Sequence, residues 1–348
     1  MGEGHLSSTV FREGAIGGDG SVHLEAGPRR AVRARMSLDQ HYVTSLFRRK
    51  LGEFEVDLRE ADGIFAQLGE RFSALDLDAV VTRARRSATA PPERILEAIW
   101  ALVSANYQLR LPPGSRIGEL ILYPQSAYEA RGIEDLRLVR FVDDDGHHRY
   151  YGTYTAFDGA RILPMLVETR DFKTVDVHTL NGACARGKGL ALFPRKIGGR
   201  FVMCSRIDGR NLFLMTSEEA SFWQTADLLA EPRSPWEYRL IGNCGSPIET
   251  PEGWLLMTHG VGPMRRYAIG AMLLDLKDPR IIRGRLREPL LEPPDTEPGG
   301  YVPNVVYSCG TLLHAGRLYI PYAVADETTV MVRVDLAELL RLILSDGA

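Results

Sequence analysis

The feature that most constrains this chain is a unit that recurs through its last two thirds. An apolar run leads into a glycine-containing turn, and a second run rich in Tyr, Phe, Met and Leu leads out of it. The four turns lie in DDDGHHRYYGTYTA, KIGGRFVMCSRI, TPEGWLLMTHGV and LHAGRLYIPYAVA. Their glycines, Gly146, Gly199, Gly253 and Gly316, are 53, 54 and 63 residues apart. A third apolar run follows each turn: ARILPMLVET, NLFLMTS, YAIGAMLLDL and TTVMVRVDL. Small sheets that repeat in order along a chain are what propeller blades produce. Each sheet alone leaves two apolar faces bare, so neighbours must stack. Two ordinary β-sandwich domains are the alternative, and the ordered recurrence favours the propeller.

The first third reads differently. Residues 1–36 hold short alternating runs, HLSSTVFREG and GSVHLEAG, broken by glycines. They predict a hairpin or two strands and part of a first blade. Residues 37–110 carry helical spacing, in DLREADGIFAQLGERF and LDLDAVVTRARR. APPERILEAIWALVSANYQL opens with prolines suited to a first helical turn and sets Ile95, Ile99, Leu102 and Val103 on one face. The expected organisation is a partial first blade over 1–36, a small helical insert over 37–110, and the remaining blades with C-terminal closure over 111–348.

The bulk numbers exclude several classes. A net charge of −3 and a pI near 6.3 give no field for nucleic acid. Cys184, Cys204, Cys244 and Cys309 are far apart, with no metal-ligand spacing, so no metal site is expected. No run is long enough to span a membrane, and MGEGHLSSTVFREG lacks a basic-then-apolar signal. The expectation is a cytoplasmic protein with no membrane partner.

In a propeller, loops at one end of the inner strands gather polar residues from successive blades. The candidates are Glu134, Asp135 and Arg137 at the start of one inner strand, Lys188 in GKGLALFP, Asn243 in GNCGSPIE and Asn304 in VPNVVYSCG. Tyr154, Arg206, His259 and Asp326 come from second strands. Cations, carboxylates and aromatic walls suit carbohydrate chemistry. Cleaving a glycosidic bond takes a proton for the leaving oxygen and a nucleophile at the anomeric carbon. A cationic pocket suits an anionic nucleophile such as phosphate. Read alone, Asp135 is also placed for a salt bridge with Arg137, which would share its face of an extended strand.

GIEDLR, YYGTYTAFDG, KGLALFPRKIGGRFVMCSR, GSPIETPEGWLLMTHGVG, YAIGAMLLDLKDP, REPLLEP, VPNVVYSCG and PYAVADE, in that order, resemble glycoside hydrolase family 130. These are the β-mannoside phosphorylases and β-mannosidases. The resemblance runs from about residue 115 to 340 and implies an all-β fold, a five-bladed β-propeller, here with a helical insert. It implies inverting phosphorolysis of β-mannosides to mannose-1-phosphate, with Asp135 as general acid acting through a hydroxyl of the mannosyl ring. Lys188, Arg206 and His259 match the family's phosphate-binding places. Arg137, Tyr154, Asn243, Tyr267, Asn304 and Asp326 are the expected substrate contacts. No cofactor is implied; inorganic phosphate is the co-substrate and a β-mannosyl oligosaccharide the partner.

Two departures stand out. Leu240 occupies a place where many phosphorylases carry a lysine, and Arg239 beside it points to the other face of a strand. The family's innermost strand of the first blade would precede GEGHLSSTVFREG, so the first blade is expected to be incomplete. Its open edge and the insert point to a homo-oligomer. Hydrolysis of the same bond is the alternative activity, and a catalytically impaired carbohydrate-binding propeller the non-enzymatic one.

Overall fold

The computed structural model describes residues 6–27, 32–37, 40–86, 90–294 and 301–347. Strands dominate, and the described residues hold five α-helices. The expectation of a mostly β chain with a few helices therefore holds. The chain forms two compact units. One comprises Leu6–Glu134 with Ala156–Ala183, and the other comprises Asp135–Thr155 with the chain from Cys184 on.

The first unit contains α1 (Thr44–Glu53), α2 (Leu58–Phe65), α3 (Ala74–Ala84) and α4 (Glu93–Ala105). Local chemistry sets their starts. Asp57 caps α2 by accepting from the Arg59 amide, and Ser73 and Asp76 form a reciprocal capping box on α3. Pro92 immediately precedes α4, where a missing N–H costs nothing. The apolar faces bury one another: Leu51, Ile64, Leu77, Ile95, Leu96, Ile99 and Leu102 form one core with Phe47, Phe65 and Phe72. The helices thus satisfy their own apolar stripes. α4 runs into strand Tyr107–Arg110, which pairs with Thr174–Thr179 and Arg35–Ser37, while Ile162–Thr169 pairs with the far side of Thr174–Thr179. The buried ammonium of Lys50 in α1 donates to Leu180 O at 2.7 Å and pairs with Glu53 at 2.8 Å. The expected N-terminal hairpin is present as Gly14–Ile16 against Val22–Leu24. Residues 1–5 and 28–31 of the expected partial blade lie outside the described residues.

The second unit is the repeat made visible. All four turn glycines adopt positive φ, at 82, 75, 154 and 73° in chain order. One sheet runs Ala191–Leu192, Phe201–Ser205, Leu212–Ser217, Ala226–Ala230. The next is built on the hairpin Gly253–Val261 and Tyr267–Leu274, with Ile282–Arg285 outside it. The last is built on Arg317–Val324 and Thr328–Asp335. In these last two sheets the first strand is broken. Leu240–Asn243 and Ile248–Thr250 both pair with Gly253–Val261, and Val306–Tyr307 and Leu312–His314 both pair with Arg317–Val324. The breaks carry related sequences, Cys244-Gly245-Ser246 and Cys309-Gly310-Thr311.

Strand Gly253–Val261 is buried along its whole length. Trp254 and Leu256 pack with Phe193, Val202, Leu214 and Met272. Leu255 and Met257 pack with Ile269, Leu318, Ile320 and Ile343. Alternation along one strand therefore feeds two separate cores, as a sheet covered on both faces requires. Helix α5 (Leu336–Asp346), capped by Asp335, adds Leu339, Leu340 and Ile343 to the second core.

Candidate active site

Asp135 opens the second unit, inside strand Gly132–Val142. Its φ is +55°, a left-handed conformation that interrupts the extended run. Acidic and amide side chains tolerate this region better than most, and such kinks re-aim side chains. The simple alternation expected over Glu134, Asp135 and Arg137 therefore fails at its centre. Arg137 does not take up the anticipated salt bridge with Asp135. Its Nη1 donates to Gly189 O at 2.9 Å and its Nη2 donates to the hydroxyl of Tyr307. Glu134 belongs to the first unit, where it is buried.

Tyr307 is the centre of the cluster, and the sequence reading missed it. It sits in VPNVVYSCG beside the break in the last sheet, where it looked like part of an apolar run. Its hydroxyl accepts from Arg137 and lies 3.5 Å from Asp135 Oδ2, to which it donates. Burial, opposed by Arg137 and reinforced by Asp135, pushes the phenol well above its ordinary pKa, so it keeps its proton. Burial works against the Arg137 charge too, but the Tyr307 hydroxyl that accepts from it and the nearby Asp135 carboxyl more than offset it, and its pKa rises. The edge of the Tyr307 ring meets His259 at 5.1 Å, and the Tyr267 ring stacks on His259 at 6.1 Å with planes 10° apart.

His259 reaches across to Arg206. Its Nδ1 lies 3.2 Å from Asn243 O and its Nε2 lies 3.0 Å from Arg206 Nη1. A carbonyl oxygen only accepts, so Nδ1 carries the proton and Nε2 accepts from the guanidinium. Burial first, then Arg206 and Arg137, hold the imidazole pKa well below its usual value, so the ring is neutral. Both ring nitrogens are occupied. His259, expected among the phosphate-binding residues, contacts Arg206 through Nε2.

Gly242 makes room for this contact. A Cβ there would lie 2.5 Å from His259 Cε1 and 3.1 Å from Arg206 Nη1. The Ile-Gly-Asn run is thus a spacing requirement. Lys188 sits between two glycines at φ +80 and +82°. A Cβ on Gly187 would come within 3.1 Å of Arg206 O, while Gly189 O holds Arg137. Lys188 is therefore carried on a tight turn bracketed by both arginines.

Asn243 is buried, and its Nδ2 donates to Gly245 O at 3.1 Å. Its Oδ1, together with Ser246 Oγ and Thr311 Oγ1 at the strand breaks, is buried without a protein partner. Other expected contacts fall elsewhere. Asn304, at φ +63°, offers its carbonyl to the Tyr267 amide, and Asp326 sits exposed in a hairpin turn at φ +52°. No contact joins either side chain to the cluster among the described residues. Tyr154 is buried in strand His148–Phe157. Leu240 is half-buried and Arg239 exposed. Arg266 is tied to Pro293 O and Glu292, and Trp254 is core under Arg195.

Neither Arg137 nor Arg206 has a carboxylate partner in ion-pair contact among the described residues. Both guanidinium groups lie close enough to His259 to disfavour a proton on its ring. No group of His, Cys, Asp and Glu side chains suited to a metal occurs among the described residues. No described helix is long and apolar enough to cross a membrane.

The profile of a family described as beta-1,4-mannooligosaccharide phosphorylase matches residues 115–344. A β-1,2-mannobiose phosphorylase of Listeria innocua is 31% identical over 226 residues, which is 63% of this chain and 62% of that protein. The chain thus spans less than two thirds of that relative's length. A β-1,2-mannobiose phosphorylase of a Thermoanaerobacter species is 35% identical over 216 residues, 61% of this chain and 69% of that protein. The solved Listeria innocua enzyme in complex with β-1,2-mannobiose superposes with a TM-score of 0.57 at 28% identity, over 68% of this chain and 65% of that one. The ordered motifs, the repeat and these matches agree, and the chain belongs to glycoside hydrolase family 130.

Proposed function

We propose that this protein cleaves β-mannosides by inverting phosphorolysis, on a five-bladed propeller into which residues 37–110 are inserted. The observation that carries this reading is the pair of guanidinium groups, Arg137 and Arg206, without carboxylate partners around Tyr307, with Asp135 beside them. A hydrolase has no need of such a site, whereas a phosphorylase must hold an anionic nucleophile. Arg206, aimed by His259, and Lys188 bind inorganic phosphate. A phosphate oxygen attacks the anomeric carbon as the bond to the leaving oxygen breaks. The proton of Asp135 passes through a mannosyl hydroxyl to that oxygen, giving α-mannose-1-phosphate and the shortened acceptor. The orphaned oxygens of Asn243, Ser246 and Thr311 are suited to accept from sugar hydroxyls. No metal or organic cofactor enters, since a positioned acid and a bound nucleophile suffice.

The test is incubation with β-1,2- and β-1,4-mannobiose, with and without phosphate. Mannose-1-phosphate that forms only with phosphate is the expected result, and Asp135→Asn should lower kcat by about 10²–10⁴-fold. Free mannose released independently of phosphate would transfer the reading to hydrolysis. Binding without turnover would leave a carbohydrate-binding propeller.

A further inference from the structure

We propose that Tyr307 is a positioning residue that holds the Asp135 carboxyl and keeps it apart from Arg137; this rests on Asp135 being the general acid. The phenol has one proton and stands between a cation and a carboxyl. It accepts from Arg137 Nη2 and donates to Asp135 Oδ2 at 3.5 Å. That contact is long for an O–H···O bond, as catalytic contacts in free enzymes often are before substrate tightens them.

The arrangement has a purpose that a direct ion pair would defeat. A guanidinium paired two-pronged with Asp135 would fix its ionised form and occupy both oxygens. An acid held that way has no proton to give. The neutral hydroxyl takes up the near arm of Arg137, and Gly189 O takes up the other. One oxygen of Asp135 is then anchored and the second stays open to the substrate. The other titratable groups facing Asp135 are the Cys309 and Cys244 thiols, which burial pushes up to about 12, so they add no charge. Arg137, on the same strand, is a cation close to Asp135, and Tyr307 intercepts it.

The experiment compares two substrates in Tyr307→Phe and Tyr307→Leu, each assayed after its circular dichroism and melting curve match the parent. Phe keeps the ring that meets His259 and removes only the hydroxyl; Leu removes the ring as well. On β-mannobiose, whose leaving oxygen needs a proton, kcat should fall about 10²-fold in either variant. On 4-nitrophenyl β-mannoside, whose leaving group departs unprotonated, the fall should stay within about threefold, because acid assistance is not required. In Tyr307→Phe, which keeps the ring against His259, the phosphate KM should not move. Equal losses on both substrates, or no loss on mannobiose, overturn the proposal. Asp135→Asn is run alongside and should show the same selectivity. Should it retain full mannobiose activity, the acid assignment itself fails, whatever Tyr307 does.

Discussion

The imidazole of His259 is neutral because burial and two neighbouring guanidinium groups penalise a proton on it. That neutrality leaves Nε2 free to accept from Arg206, which a charged ring could not do. His259→Leu removes the acceptor while filling much of the space, and should raise the phosphate KM by about 10–100-fold, the usual worth of a hydrogen bond to a charged group. Initial rates at varied phosphate check it; an unchanged KM would mean that Arg206 is aimed by something else. Gly242→Ala should do similar damage without touching a polar atom, since its methyl enters the space of the ring. At this scale the sequence was legible for residues with unusual chemistry. Asp135, Arg137, Arg206, His259 and Tyr267 could be named from type and motif, and they do meet. Tyr307 could not, because a tyrosine in an apolar run looks like packing, and only the broken strand turns its hydroxyl to use. The left-handed backbone at Asp135 was equally hidden, since alternation predicts extension.

The helices show how far local signals carry. Periodic apolar residues, with prolines at the start of α4, mark α2, α3 and α4 in the sequence, and the four residues assigned to one face of α4 are all buried. The same core makes a quantitative test. Ile99 is fully buried, and Ile99→Ala should destabilise by about 2–5 kcal/mol, whereas Ser73→Ala, which removes one cap, should cost about 1 kcal/mol. Urea unfolding of each variant against the parent measures both. Similar costs would mean that the core around Ile99 collapses to fill the gap. The strand breaks are the element-scale feature that sequence could not supply. Cys-Gly-Ser and Cys-Gly-Thr look like ordinary turns, yet each divides a strand in two and releases polar atoms from the ladder.

For the molecule as a whole, buried titratable groups define a pH window of stability. His259 and His178 both have pKa values lowered by burial. Their unfolded forms take up protons below about 6.5 while the folded forms do not, so stability should fall as pH drops from there, by up to about 1.4 kcal/mol per unit and group. On the alkaline side, Cys204, Cys244 and Cys309 are pushed up to about 12. Unfolded thiols ionise from about 8.5 upward, so stability should decline again above that pH. Melting temperatures from pH 4 to 10 should therefore form a plateau near neutrality with both shoulders falling; a flat acid side would show that the two histidines are not held neutral. The recurrence of hairpins was readable because turn glycines and apolar alternation are local. The meeting of residues 135, 206, 259 and 307 is non-local, and spacing alone does not encode it.

The strand Gly253–Val261, with a different core on each side, carries one more consequence. Sliding it by a single residue would send the indole of Trp254 into a space shaped for Leu255, and would empty the indole's own space at the same moment. Two errors of opposite sign, one of crowding and one of void, would arise from one slip. A refolding chain thus meets a built-in proofreader of its alignment, and the hydroxyls and rings that act together near its far end inherit their placement from that check.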